Sequence, residues 1–299
     1  MRTRGLVLAL AFAGCGGAEP SPAGSPPSAD GGVIADGGSS NSVDGGASEA
    51  SRCTLSAARA ECSHRETRLT AAGVARAVTY EVPIGTAPPQ GWPTVLFFQG
   101  TTVPGSAAFA ADQGARFGQY QLTRTVKALL DRGFAVVAPN ALLDGTTAWQ
   151  TNIPPWSLAW TTSADHALML ELFRALDAGE FGPLDTTRLY AMGISSGGFM
   201  TSRMAVSYPG KFRALAVHSG SYATCSNSCV LPRALPADHP PTLFLHGEAD
   251  TTMPIAAMIP YRDRLAGMGI AVDSDIDSSA GHEWLESGAT TIPAWFERF

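Results

Sequence analysis

The chain has 299 residues and a formal net charge of −6, with no cluster of basic residues, which argues against a nucleic-acid partner. Hydrophobic residues make up 45% of it and charged residues only 15%, enough to bury a sizeable core. Beyond the first fifteen residues no apolar run is long enough to be a membrane-spanning helix.

Residues 1–15 read as an export signal. Arg2 and Arg4 precede an apolar stretch at 6–13 that ends in Ala13-Gly14-Cys15. Small residues directly before a cysteine resemble the bacterial lipoprotein cleavage box, although Phe12 stands where leucine is usual. This predicts lipidation of Cys15 and a membrane tether through it. An ordinary secretory signal is the alternative, and both readings export the protein to the cell envelope or beyond. Residues 16–51 are rich in Gly, Ser, Ala, Pro and Asp and carry no aromatic residue, Lys or Arg. Such a segment cannot bury enough apolar surface to offset its ordering entropy, so it is expected to be a disordered tether. Residues 52–299 have the composition and length of one α/β domain.

Four further cysteines, Cys53, Cys62, Cys225 and Cys229, form an even set, as disulfides in an exported protein require. Three pairings are possible; proximity favours Cys53 with Cys62 and Cys225 with Cys229. The Cys225-x3-Cys229 spacing would tolerate zinc, but no second ligand pair of suitable spacing accompanies it. No metal or organic cofactor is expected.

Within the domain, alternation over 75–82 predicts an early edge strand, and apolar runs predict buried strands at 94–98, 134–138, 189–192, 214–218, 242–246 and 271–276. Helical periodicity covers 120–132, 162–177, 196–208, 254–268 and 291–299, with Ser163 as a cap before the Leu168, Leu172, Leu176 stripe. Short apolar strands alternating with helices predict a mainly parallel sheet covered on both faces.

The chemistry centres on Gly193-Ile194-Ser195-Ser196-Gly197, which follows the 189–192 strand and opens the 196–208 helix. Strand, G-x-S-x-G, helix is the context of a nucleophile elbow, in which a tight turn holds a serine clear of the sheet edge. A serine hydroxyl needs a base, and the base needs an orienting acid; in the α/β-hydrolase arrangement they follow in the order serine, acid, histidine. The loop after strand 242–246 supplies Glu248 and Asp250, and Asp250, deeper in the loop, is preferred. Of the six histidines, His64 and His166 precede the serine, His218 and His246 sit in apolar strand ends, and His239 precedes the acid. His282, after the last strand, alone follows the acid, and Gly281 is expected to let the chain turn and present it. The oxyanion of acyl transfer needs two backbone N–H donors. Ser196 is one candidate and Thr101 the other, with Gly100 as its alternate. Many hydrolases have His-Gly here, whereas this chain has Gln99-Gly100. Trp149, Trp156 and Trp160, in a loop before the Ser163 helix, and Trp284 beside His282 are candidates for lining a substrate groove, with core packing as their alternative role.

The run from Gly193 through Gly198 to Thr201-Ser202-Arg203-Met204-Ala205-Val206-Ser207 resembles the bacterial extracellular depolymerases of medium-chain-length polyhydroxyalkanoates. So do Ala214-Leu215-Ala216-Val217-His218-Ser219, Leu235-Pro236-Ala237-Asp238-His239-Pro240-Pro241-Thr242-Leu243-Phe244-Leu245-His246-Gly247 and Gly281-His282-Glu283-Trp284. The resemblance covers residues 185–299 well and the earlier part weakly. It implies an α/β-hydrolase that cleaves polyester bonds through Ser195, Asp250 and His282. Similar motifs occur in short-chain polyhydroxybutyrate depolymerases and feruloyl esterases, so a polyester or a small ester is the expected substrate. A lipase, a peptidase or acyltransferase of the same fold, and a non-catalytic surface lipoprotein are the rival readings. The tether and possible lipid anchor depart from a freely secreted depolymerase. No appended polymer-binding module is expected after His282.

Overall fold

Along the central strand (Trp92–Phe98) the side chains alternate between two buried faces, Val95 and Phe97 entering one core and Leu96 and Phe98 the other. A strand with both faces buried needs cover on both sides. The computed structural model, which shows this arrangement, describes residues 50–225 and 231–299. The expected export segment with Cys15, nearly all of the expected tether, and Cys229 lie outside them.

In chain order the strands are β1 (Cys53–Leu55), β2 (Arg59–Cys62), β3 (Arg65–Ala71), β4 (Val74–Glu81), β5 (Trp92–Phe98), β6 (Ala110–Asp112) and β7 (Ala135–Pro139), then β8 (Leu184–Ile194), β9 (Phe212–His218), β10 (Thr242–Gly247) and β11 (Val272–Asp277). The helices are α1 (Gln119–Asp131), the single turn α2 (Leu142–Gly145), α3 (Ala164–Asp177), α4 (Ser196–Ser207), α5 (Ile259–Gly267) and α6 (Gly288–Phe296). Eight strands form one sheet in the order β11-β10-β9-β8-β5-β7-β4-β3. From β11 to β7 every pairing is parallel, and β4 and β3 extend the sheet antiparallel. Helices α1 and α6 pack on one face through Val126, Leu129, Ile292 and Phe296. Helices α3 and α4 cover the other through Leu168, Leu172, Met200 and Met204. Tyr261 and Leu265 of α5 extend that cover toward Phe244 of β10.

One expectation needs correction, and one sheet was not foreseen. The strand expected at the edge near 75–82 is internal, because β3 pairs along its whole length from Arg65↔Tyr80 to Ala71↔Val74. A true edge strand carries charge on its open face, and the Arg65-Glu66-Thr67-Arg68 run hides the alternation that marks a strand. A second, three-stranded sheet, β1-β2-β6, has no counterpart in the hydrophobic pattern. A disulfide joins Cys53 of β1 to Cys62 of β2 across the register of that hairpin. Cys225 is also disulfide-bonded. No helix of the described residues is long and apolar enough to cross a membrane.

Candidate active site

Strand β8 runs directly into α4 through Ser195, which has φ 58° and ψ −123°. This is a sparsely populated conformation for a residue with a side chain, and the surrounding backbone must enforce it. The Ser195 N–H donates to the His218 carbonyl at 3.0 Å, tying the turn to the end of β9. The neighbouring glycines are required by space: a Cβ on Gly197 would lie 1.8 Å from the Phe98 carbonyl oxygen, and one on Gly193 2.5 Å from that of Gly197. Small residues two positions either side of the serine therefore let β8, α4 and β5 cross in contact.

The acid and histidine loops are brought together by another close approach. A Cβ on Gly247, at the end of β10, would sit 2.2 Å from the Ala280 carbonyl oxygen. Beyond it, the Glu248 N–H donates to the Asp277 carbonyl at 2.8 Å and the Ala249 N–H to that of Ala280 at 3.0 Å. Asp250 is then buried, with 4% of its surface exposed, whereas Glu248 points to solvent. Asp250 Oδ1 accepts from the Thr252 and Met253 N–H groups at 2.9 and 2.8 Å, and Oδ2 accepts from His282 Nδ1 at 2.7 Å. Burial alone would raise the carboxyl pKa; the hydrogen bonds from His282 and Met253 and the nearby imidazoles of His282 and His246 outweigh it and hold Asp250 below its ordinary 3.8. Gly281 plays a smaller part than expected. A Cβ there would meet nothing, and the constraint falls on Gly247.

His218 and His246 flank this pair. His218 Nε2 accepts the Leu285 N–H at 3.0 Å, which leaves Nδ1–H to donate to Ser219 Oγ at 3.2 Å. Its ring stacks on Trp284, with centroids 4.9 Å apart. Burial, with His246 and His282 close by, pushes His218 down to about 3, so it is neutral at physiological pH. His246 Nε2 donates to the Met253 carbonyl at 2.7 Å and lies 3.7 Å from Asp250 Oδ2.

Ser195 and His282 line one apolar cleft of about 340 Å³. Gly100 and Thr101 lie on its wall, and Gly100 is close enough to Ser195 that a Cβ there would contact the serine Cβ at 3.7 Å. Ser196 is buried at the start of α4, and its Oγ accepts the Trp149 N–H at 2.8 Å. The tryptophans divide. Trp284 lines the cleft, whereas Trp149, Trp156 and Trp160 are not among its lining residues. Trp149 is buried in the core beneath α3 and α4, its Nε1–H donating to the Gln99 carbonyl at 3.1 Å. Trp160 lies in the same core, under the Arg203 guanidinium at 5.0 Å, and its Nε1–H donates to Tyr208 Oη at 3.2 Å. These two pack the fold rather than a substrate.

Gln99 has a positional role. Its Nε2 donates to the Gly145 carbonyl at 2.6 Å and its Oε1 accepts the Ala141 N–H at 3.2 Å. It thereby fastens the segment after β7 to the sheet beside Ser195. Sequence reasoning missed the other side of the cleft, formed by Phe117, Gln119 and Leu122 at the start of α1. The Phe117-Gly118 pair before a helical stripe was the one signal available.

The chain is 47% identical over 251 residues to a poly(3-hydroxyoctanoate) depolymerase of Pseudomonas fluorescens, covering 83% of this chain and 89% of that protein. Among solved structures, a thermostable esterase superposes with a TM-score of 0.52 at 18% identity, over 78% of this chain and 60% of that one. A fluorophosphonate-binding serine hydrolase of Staphylococcus aureus superposes with a TM-score of 0.55 at 12% identity, over 78% of this chain and 98% of that one. These likenesses show the α/β-hydrolase fold. No family model matches the chain.

Proposed function

The chain belongs to the family of the poly(3-hydroxyoctanoate) depolymerase, and from that membership we propose that it hydrolyses aliphatic polyesters of 3-hydroxyalkanoates of medium chain length. It is a serine ester hydrolase, and the observation that carries its mechanism is the buried Asp250–His282 hydrogen bond opening onto the cleft that holds Ser195.

Asp250 accepts a hydrogen bond from the Nδ1–H of His282 and so leaves Nε2 free to act as base. Ser195 Oγ loses its proton to Nε2 as it attacks the ester carbonyl carbon. The tetrahedral oxyanion lies against the backbone N–H groups of Ser196 and Thr101, which stabilise charge that the ground state lacks. Collapse of this species breaks the ester C–O bond, and the leaving alkoxide takes the proton from His282. Water, deprotonated by the same histidine, then attacks the acyl-enzyme and releases the acid and Ser195. The apolar lining favours an alkyl acyl chain over a charged one. The Cys53–Cys62 disulfide supports an oxidising, exported location.

The experiment is hydrolysis of p-nitrophenyl octanoate, together with clearing of an emulsified medium-chain polyester, by wild type and Ser195→Ala. We expect both activities in the wild type and a loss of at least about 10³-fold in the variant. Undiminished turnover in Ser195→Ala would remove the serine from its role. Turnover of the small ester with no clearing of the polymer would move the substrate to soluble esters.

A further inference from the structure

Phe117 has φ 59° and ψ 26°, and Gly118 after it has φ 67° and ψ 28°. The left-handed region suits glycine, but for a large aromatic residue it is strained and persists only where the surroundings enforce it. Those surroundings are the histidine loop. The Phe117 carbonyl accepts the Trp284 N–H at 2.9 Å, and a Cβ on Gly118 would lie 2.4 Å from the Trp284 carbonyl oxygen. The bend is thus pressed against the backbone two residues beyond His282. A glycine at 117 would make the same turn without strain, so the turn itself does not explain the ring.

The ring is 43% exposed, an unusual place for a phenylalanine held at such strain. It stands edge-to-face with the His282 imidazole, centroids 6.3 Å apart, and lines the cleft with Ser195. Phe97, Leu122, Ile194 and Trp284 supply further apolar lining. In a 3-hydroxyoctanoyl unit the pendant alkyl branch begins at the carbon that bears the ester oxygen, two carbons from the acyl carbonyl. Phe117 and Trp284 line the same cleft as Ser195 and His282, so the branch of an acyl unit held at Ser195 has apolar groups there to meet.

We propose that Phe117 is a specificity-determining residue, its ring closing the mouth of the cleft over the pendant alkyl chain of a medium-chain acyl unit. The inference rests on the ester-hydrolase reading of the site. It assigns to the strained bend a function: holding an apolar surface at a fixed place beside the base, where acyl carbons beyond the third lose water on binding.

The test uses p-nitrophenyl acetate and octanoate with the full chain, wild type against Phe117→Gly and Phe117→Leu. Carbons 4–8 of the octanoyl chain correspond to the pendant branch of a 3-hydroxyoctanoyl unit. Phe117→Gly keeps the turn, so its melting temperature, recorded alongside, should not fall by more than a few degrees. We expect the octanoate-to-acetate ratio of kcat/KM to drop at least about tenfold in Phe117→Gly, mainly through KM, with Phe117→Leu between it and wild type. An unchanged ratio in a folded Phe117→Gly, including an equal loss on both esters, overturns the proposal while leaving the hydrolase reading intact. Failure of the wild type on both esters overturns that reading, and this inference with it.

Discussion

At the residue scale, the proposed mechanism turns on one proton, the one between Asp250 and His282. Asp250 Oδ1 is committed to the Thr252 and Met253 N–H groups, so only Oδ2 faces the imidazole. In Asp250→Asn the amide oxygen would keep the two backbone donors and turn its NH₂ toward Nδ1. Nδ1 would then have to accept, the ring proton would move to Nε2, and the base would be blocked. We expect kcat to fall about 10⁴-fold with little change in KM or melting temperature, measured by steady-state kinetics and thermal unfolding. A variant with near-normal kcat would mean that Asp250 does not set the tautomer. The sequence made these residues legible because Ser195 and Asp250 follow strands of strong apolar pattern, and because their order along the chain leaves His282 as the one histidine after the acid. It could not separate Trp149 from Trp284. Both are large and apolar with one polar atom, and only the third dimension puts one under α4 and the other against the cleft. Likewise Gly247 and Gly281 look alike in sequence, yet only Gly247 stands where a neighbouring backbone leaves no room for a Cβ.

At the element scale, the segment between β7 and α3 has little regular structure of its own and is held by side chains from the sheet and α4. Gln99 spans it at Ala141 and Gly145, Ser196 at Trp149, and Arg203 at Thr151 through both Nε to Oγ1 and Nη2 to the carbonyl, at 2.9 and 2.7 Å. Trp149, Thr151 and Trp160 therefore belong to the scaffold behind Ser195, where composition alone suggested a substrate groove. Gln99 occupies the place at which many hydrolases carry a histidine, and here its side chain serves this segment. Removing it leaves the Gly145 carbonyl and the Ala141 N–H buried without their partner. Gln99→Ala should lower stability by about 1–3 kcal/mol, read from denaturant unfolding, and reduce kcat as the Ser196 backbone loosens. Stability within about 0.5 kcal/mol of wild type would show that the segment holds itself. The parallel strands β5, β7, β9 and β10 were legible because burial on both faces leaves an unbroken apolar run. Strands β1, β2, β3 and β6 were not, since they are short or carry charge on an open face, and their pairing is decided by partners distant in sequence.

At the scale of the whole molecule, the fold keeps several histidines neutral inside it, and this couples stability to pH. Burial pushes His218 to about 3 and His239 to about 4, and it also lowers His246. In the unfolded chain all three would titrate near 6.5. Between that value and the native ones the unfolded chain binds more protons, so stability is full above about pH 6.5 and declines as the pH falls toward 4 and 3. Asp250, held below 3.8, adds a further loss only at the acid end of that range. For fully buried His218 the loss is on the order of several kcal/mol, a large part of the roughly 5–15 kcal/mol that holds a domain together. His218→Gln isolates this contribution. The glutamine Oε1 can still accept the Leu285 N–H that His218 Nε2 accepts at 3.0 Å, but the side chain cannot take up a proton. Thermal unfolding at pH 4, 5, 6 and 7 should therefore show a shallower decline in melting temperature for His218→Gln than for wild type. The two curves should lie furthest apart at pH 7, where the variant lacks the Trp284 stack, and converge toward pH 4. Parallel curves would exclude His218 as the linked group and leave the acid sensitivity to neighbouring His246 and to His239, which packs against Tyr261.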